Sequence, residues 1–290
     1  MSFESMTVSE VIDRYINAKC AVLSPSTIRG YRAYSKKYYT DISETSICEL
    51  NKESLQCWVN NISKLHSPKT VKNAYGLLSA ALTMFHPDFD KIKVKSLPRN
   101  IKAPFYVPDK KEIQNIYCLL KGTNLEVPFL LASKCGLRPS EIAALTTDCV
   151  VKCTIEIRKA MVMDENGNQV LKPPKTNAGY RSIPIPQSLE DLLISRADGN
   201  MICALSANRI GKEWSRFLAE NNLRYFKFYA LRHYFASQAL LLGIPQKYIA
   251  EMMGHSSTQM IEHVYQHIMK YAMDEFKERI KNDTRELMDF

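Results

Sequence analysis

The sequence predicts a mainly α-helical chain with a small antiparallel β-sheet, divided into a helical domain over 1–97, a linker over 98–108 and a larger domain over 109–290. Three observations predict this. Apolar residues at helical spacing, opened by recognisable caps, dominate the first third of the chain. A stretch rich in proline and basic residues and without helical period follows over 91–108. Beyond it, helical patterns flank one island in which apolar and polar residues alternate, as half-buried strands do.

In chain order, Thr7 and Glu10 form a capping-box pattern ahead of Val8, Val11, Ile12, Tyr15 and Ile16, which opens a first helix. Ser24-Pro25 and Ser67-Pro68 each set an N-cap residue before a proline whose fixed φ suits the first helical position. A further helix is predicted over 52–63. In the second domain, helices are expected over 111–120 and 127–134, and Pro139 suits the first turn of another. Residues 154–163 and 169–172 alternate around an Asn166-Gly167 turn, and 180–185 supply a third strand after Asn177-Ala178-Gly179. Helical spacing returns after Pro186, with candidates at 208–221, 231–242, 246–253 and 258–268. The tail from residue 270 carries Met269, Met273, Phe276 and Ile280 as an apolar stripe, which must be buried on its own chain or on a neighbour.

With 290 residues and 46% hydrophobic content, the chain is long enough for two domains, each with its own core. The net charge of +9 favours a polyanionic partner. No apolar run approaches the length needed to cross a bilayer and the start, MSFESMTVSE, is polar, so a cytoplasmic protein is expected. The eight cysteines are scattered without a CxxC pair or zinc-finger spacing, and read as reduced, mostly buried thiols. Cys149 and Cys153 are the closest of them, but two ligands do not make a metal site. Between Arg29 and Tyr39 the segment RGYRAYSKKYY interleaves Arg29, Arg32, Lys36 and Lys37 with tyrosines, and Lys69 and Lys72 sit in the opening turn of a later helix. Basic side chains beside phosphate with rings beside sugar would suit DNA, whereas the same tyrosines would also pack inside a helical bundle.

The segments GLRPSEIAAL, PPKTNAGYRSIPIP, YALRHYFAS, MMGHSS and HVYQH resemble, in order and separation, the signature blocks of the tyrosine recombinase (phage integrase) family of site-specific recombinases. The match spans roughly 108–267, and the helical part before it resembles the family's core-binding domain. The resemblance implies a two-domain clamp around double-stranded DNA, strand exchange through a 3′-phosphotyrosine with no metal, ATP or other cofactor, and a homo-oligomer, a tetramer on paired sites. Carried onto this sequence, it makes Tyr265 the nucleophile and places Arg138, Arg232 and His255 on the scissile phosphate. Lys175 becomes the proton donor to the leaving oxygen, with Lys172 a nearby competitor. Glu141 would orient the basic residues, His233 is expected to be structural, and Arg181 is given no catalytic part. The family's usual histidine three residues before its second arginine is Tyr229 here, and a neutral phenol is a poor base at neutral pH. That departure keeps open a second reading, a cleavage-impaired DNA-binding regulator or architectural protein; a DNA-relaxing topoisomerase is a third. The helices begin almost at the first residue, so no separate arm-site-binding domain is expected.

Overall fold

The computed structural model describes residues 6–86, 88–99, 106–174, 177–255, 257–259 and 261–262. The chain forms two compact units, one of Met1–Ala103 with Met163–Val170, the other of Pro104–Val162 with Leu171–Phe290.

The first unit is helical. Helix α1 (Val8–Lys19) opens on the Thr7–Glu10 capping box read in the sequence. Thr7 also bridges Ser46, so the helix start is tied to a later turn. α2 (Pro25–Tyr38) and α4 (Pro68–Phe85) each begin at their proline, and α3 (Lys52–Leu65) begins at Asn51, which caps through Ser54. Their apolar faces enclose Val11, Ile12, Ile16, Leu55, Trp58, Leu77 and Leu78. Two aromatic side chains at the centre satisfy their polar atoms on backbone: Tyr39 Oη donates to Ala74 O at 2.7 Å, and Trp58 Nε1 donates to Tyr38 O at 3.0 Å. The short helix α5 (Phe89–Ile92) occupies the beginning of the stretch predicted to lack helix, because Phe89 is buried against the same core. Past it, the Val94 N–H donates to Tyr75 Oη at 2.8 Å and that hydroxyl donates to Val94 O at 3.3 Å, so the segment leaving the bundle is tied to α4.

The second unit opens with α6 (Lys110–Leu120), capped by Asp109, and α7 (Glu126–Cys135), which is buried along all of its length but Lys134. The four-residue α8 (Pro139–Ile142) follows. Strands β1 (Val150–Val151) and β2 (Thr154–Ile157) are joined by Lys152 and Cys153, whose φ of 52° and 57° match the two central positions of a type I′ turn. β3 (Ala160–Met163) and β4 (Gln169–Lys172) form the hairpin predicted around Asn166-Gly167, and Asp164 Oδ1 accepts from the N–H groups of Asn166 and Asn168. β5 (Arg181–Pro184) pairs antiparallel with β2, placing Ile155 opposite Ile183 and Ile157 opposite Arg181.

The strand island is therefore two sheets rather than one, β1-β2-β5 and β3-β4. The predicted continuous strand over 154–163 breaks at Arg158-Lys159, where both side chains are exposed and the alternation that would hold one register is lost. Helices α9 (Gln187–Ser195), α10 (Ala207–Glu220), α11 (Ala230–Leu241) and α12 (Gln246–Met253) complete the described part of the unit. Trp214 is fully buried among Phe129, Phe217, Phe226 and Phe228 and donates from Nε1 to Phe226 O at 2.9 Å.

The cysteine expectation holds in part. All eight are unpaired, but Cys20, Cys48, Cys57 and Cys118 are exposed, since each falls on the solvent side of a helix or turn whose opposite face supplies the core. No helix among the described residues is long and apolar enough to cross a membrane. The predicted helix over 258–268 is described only at its start, and the apolar tail from residue 270 lies outside the described residues.

Tyr75→Phe is expected to lower the stability of the helical unit by about 1–3 kcal/mol, because it strands the buried N–H and C=O of Val94. A urea midpoint equal to that of the parent, read by circular dichroism, would mean that the exit segment is not held this way.

Candidate active site

Four of the residues singled out in the sequence, Arg138, Glu141, Arg232 and His255, meet where two helix ends and a strand converge. α7 and α12 both end on a glycine in the left-handed region, Gly136 at φ 66° and Gly254 at φ 63°. Their last carbonyls have no helical partner and carry the negative end of the helix dipole. Guanidinium groups fill both ends. Arg232, on α11 and fully buried, donates from Nη1 to Gly136 O and from Nη2 to Met253 O. Arg138, the N-cap residue of α8, donates from Nη2 to Gly254 O at 2.7 Å. A side chain at either glycine would collide: a Cβ at position 136 would lie 2.7 Å from the Phe235 ring, and one at 254 would lie 2.8 Å from Arg181 Nη1 and 3.3 Å from Arg138 Nη1.

Glu141 is the buried counter-charge. Its carboxylate accepts from Arg138 N at 2.8 Å and Arg138 Nη1 at 2.7 Å, and from Arg181 Nη2 at 2.8 Å and Nη1 at 3.1 Å. Arg138 thus stands at the N-cap position, pairs with Glu141 and still keeps 29% of its side chain exposed. Burial pushes the Glu141 carboxyl up, but hydrogen bonds and charge from Arg181, then Arg138, outweigh it and hold the pKa at about 2. Burial and the neighbouring Arg138 lower Arg232 to about 10, which leaves it a cation at neutral pH.

His255 follows the Gly254 cap, and its Nε2 lies 2.7 Å from Arg232 Nη2. A guanidinium has no acceptor, so Nε2 must accept and the ring proton sits on Nδ1. That Nδ1 is buried and has no partner among the described residues, as is Arg232 Nε. Burial first, then Arg232, Arg138 and Arg181, lowers the His255 pKa to about 3, so the ring is neutral at pH 7. The site therefore holds a neutral imidazole among fixed guanidinium groups, of which Arg138 keeps part of its side chain exposed.

Tyr229 stands at the margin, 38% exposed at the start of α11. Its ring centroid is 6.0 Å from the Arg232 guanidinium and meets the His233 ring edge-on at 5.1 Å. Burial and the adjacent Arg232 lower His233 to about 4. Of the sequence candidates, the structure brings together Arg138, Glu141, Arg232 and His255, with Tyr229 beside them. Lys175 and Tyr265 lie outside the described residues, as do His263, His267 and Tyr271. Among the described residues, no group of three or more His, Cys, Asp or Glu could hold a metal ion.

Residues 107–271 match the phage integrase family. The chain belongs to that family. Among relatives of this phage integrase family chain, a tyrosine recombinase XerC-like protein of Caldanaerobacter subterraneus subsp. tengcongensis is 23% identical, over 93% of this chain and 81% of the relative. The prophage integrase IntR of Escherichia coli is 26% identical, over 68% of this chain and 57% of the relative. The fold is similar to that of the Tn1549 transposon integrase in complex with transposon right end DNA, with a TM-score of 0.76 at 18% identity, covering 90% of this chain and 95% of that one. It is also similar to lambda integrase in a tetramer bound to a Holliday junction, with a TM-score of 0.68 at 17% identity, covering 90% and 77%.

In the helical unit of this family member, Arg29, Lys36, Lys37, Lys69 and Lys72 are exposed. Arg32 is half-buried, donating to Asp13 at 2.9 Å and to Asn17 at 2.5 Å. The tyrosines among them do pack: Tyr39 is buried, and Tyr31, Tyr34 and Tyr38 lie half-buried on the core. Asn73 donates to Tyr34 Oη at 3.2 Å, so the basic stretches of α2 and α4 come from adjoining helices. Sequence reasoning passed over Arg181, although a signal existed. Alternation along β5 puts it on the face of Ile183 and Ile185, where a charge needs a built partner.

A carboxyl with a folded-state pKa below its free value stabilises the fold above that free value and loses the contribution as pH falls. For Glu141 the window runs from 4.5 to about 2. Roughly 3 kcal/mol is at stake at about 1.4 kcal/mol per unit. Glu141→Gln is expected to flatten the acid limb of the stability curve between those values. Parallel curves for parent and variant in denaturant titrations at stepped pH would contradict the placement of this carboxylate.

Proposed function

We propose that this chain is a site-specific DNA recombinase that cleaves and rejoins double-stranded DNA through a 3′-phosphotyrosine. The observation that carries the reading is the convergence of Arg138 and Arg232 with a neutral His255, on a chain whose sequence matches the phage integrase family over residues 107–271. In the reaction, the Tyr265 phenolate oxygen bonds to the scissile phosphorus as the bond to the 5′ oxygen breaks. Lys175 gives that oxygen its proton. Attack by the 5′ hydroxyl of the partner strand reverses the exchange, so one phosphoester replaces another and no cofactor is consumed. Charge gathers on the nonbridging oxygens at the transition state, where guanidinium forks stabilise it. His255 stands beside Arg232 as a neutral imidazole within this cluster. A free phenol has a pKa of about 10, and a cationic pocket favours the phenolate needed for attack.

The exposed Arg29, Lys36, Lys37, Lys69 and Lys72, with Arg32 beside them, would neutralise backbone phosphates and set the register of the duplex. Assembly as a tetramer on paired sites within the cytosol, as a mobile-element integrase or as a resolver of chromosome or plasmid dimers, completes the reading; the lambda integrase tetramer on a Holliday junction has a similar fold. Tyr229 supports the second reading, a DNA-binding protein with impaired cleavage, because it puts a phenol beside Arg232 where an imidazole is usual.

On DNA nicked within its own recombination site, the parent should form an adduct that survives a denaturing gel, and Tyr265→Phe should form none. An equal yield from Tyr265→Phe would remove the nucleophile assignment. A parent that forms no adduct, with Tyr229→His forming one, would favour the second reading instead. For the helical unit, Lys72→Ala should weaken binding across unrelated sequences alike and reduce the slope of log affinity against log salt by about 0.9. An unchanged slope would take Lys72 off the phosphate backbone.

A further inference from the structure

Arg181 is a charged side chain of this site to which the recombinase reading gives no task. It is 6% exposed. Nε donates to Met252 O at 2.7 Å, Nη2 to Glu141 Oε2 at 2.8 Å, and Nη1 to Glu141 Oε1 at 3.1 Å and Gly179 O at 3.2 Å. A guanidinium carries five N–H donors, and these contacts engage four, one or more on every nitrogen. No edge of the fork is left for bidentate contact with DNA.

What its partners share is their next neighbour. Glu141 also accepts from the Arg138 backbone and side chain. Met252 directly precedes Met253 and Gly254, whose carbonyls hold Arg232 and Arg138, and the chain then turns into His255. Arg181 packs on the bare Cα of Gly254, where a Cβ would lie 2.8 Å from its Nη1. From β5, this one side chain joins α8 to the end of α12.

We propose that Arg181 is a positioning residue: by holding Glu141 and the Met252 carbonyl in one fork, it sets the geometry of Arg138 and of the turn that carries His255. This rests on the recombinase reading of Arg138, Arg232 and His255 as the groups that meet the phosphate. Lysine at this position keeps the charge but cannot bond a carboxylate and a carbonyl from a rigid fork.

Arg181→Lys is therefore expected to reduce the single-turnover rate of adduct formation at saturating nicked DNA by about 100-fold, as misplacement of reacting groups by about 1 Å does. DNA affinity should stay at the parent value. In the DNA-free protein, the His255 imidazole and Arg138 Nε–H NMR resonances should move. The double variant with Glu141→Gln should be no slower than the slower single variant, because the two side chains act in one network. A thermal transition checks folding, and Arg181→Gln takes the same measurements should the lysine variant not fold. Unchanged rate and unchanged resonances would overturn the proposal. So would lost affinity with an intact saturated rate, which would make Arg181 a DNA contact. If the parent forms no Tyr265-dependent adduct, the recombinase reading fails, and the DNA-free resonances alone decide: shifted, they uphold the positioning role; unshifted, they overturn it.

Discussion

Three guanidinium groups meet the carbonyl-bearing end of a helix in the second unit, and its described architecture is arranged around that meeting. Taking such cations out of water costs several kcal/mol each unless acceptors replace the lost hydration. The fold finds acceptors where a helix necessarily leaves them, at the ends of α7 and α12, and adds one buried carboxylate, Glu141. Gly136 and Gly254 make this workable. A left-handed turn exposes the last carbonyls, and a missing Cβ lets Phe235 and the arginines approach.

Because the acceptors are backbone atoms and one carboxylate locked by two arginines, the positive array exists before any ligand arrives. The same burial sets protonation. Glu141 stays an anion because Arg181 and Arg138 outweigh its burial, His255 stays neutral because burial and the arginines both penalise its cation, and Arg232 stays a cation although burial and Arg138 lower its pKa. Removing one member would leave another charge buried without a partner, a heavier loss than the pair's net contribution.

Local chemistry explains what could be read from the chain. The Thr7–Glu10 box, the prolines at 25 and 68 and the Asn166-Gly167 hairpin depend on a few adjacent residues, and each formed as expected. The β1-β2 turn escaped notice because Lys152-Cys153 lacks turn chemistry and takes positive φ under tertiary ties, among them Cys153 N–H donating to the Glu190 carboxylate. The break at Arg158 escaped for a like reason, since strand partners are chosen at long range. The exposed cysteines followed from which helix face met the core, and composition carries no such information.

At the site, the sequence by itself determined which residue types were present and in what order: Arg138, Glu141, Tyr229, Arg232 and His255 stand in motifs legible without coordinates. Only the tertiary structure decided what each one touches. That Arg232 is fully buried on two helix ends, that His255 must carry its proton on Nδ1, and that Arg181 closes the network are facts about contacts between positions up to 96 residues apart. Spacing along a chain fixes the face of a helix or strand. Desolvation and hydrogen bonding depend on what that face meets, and that is settled when the elements pack.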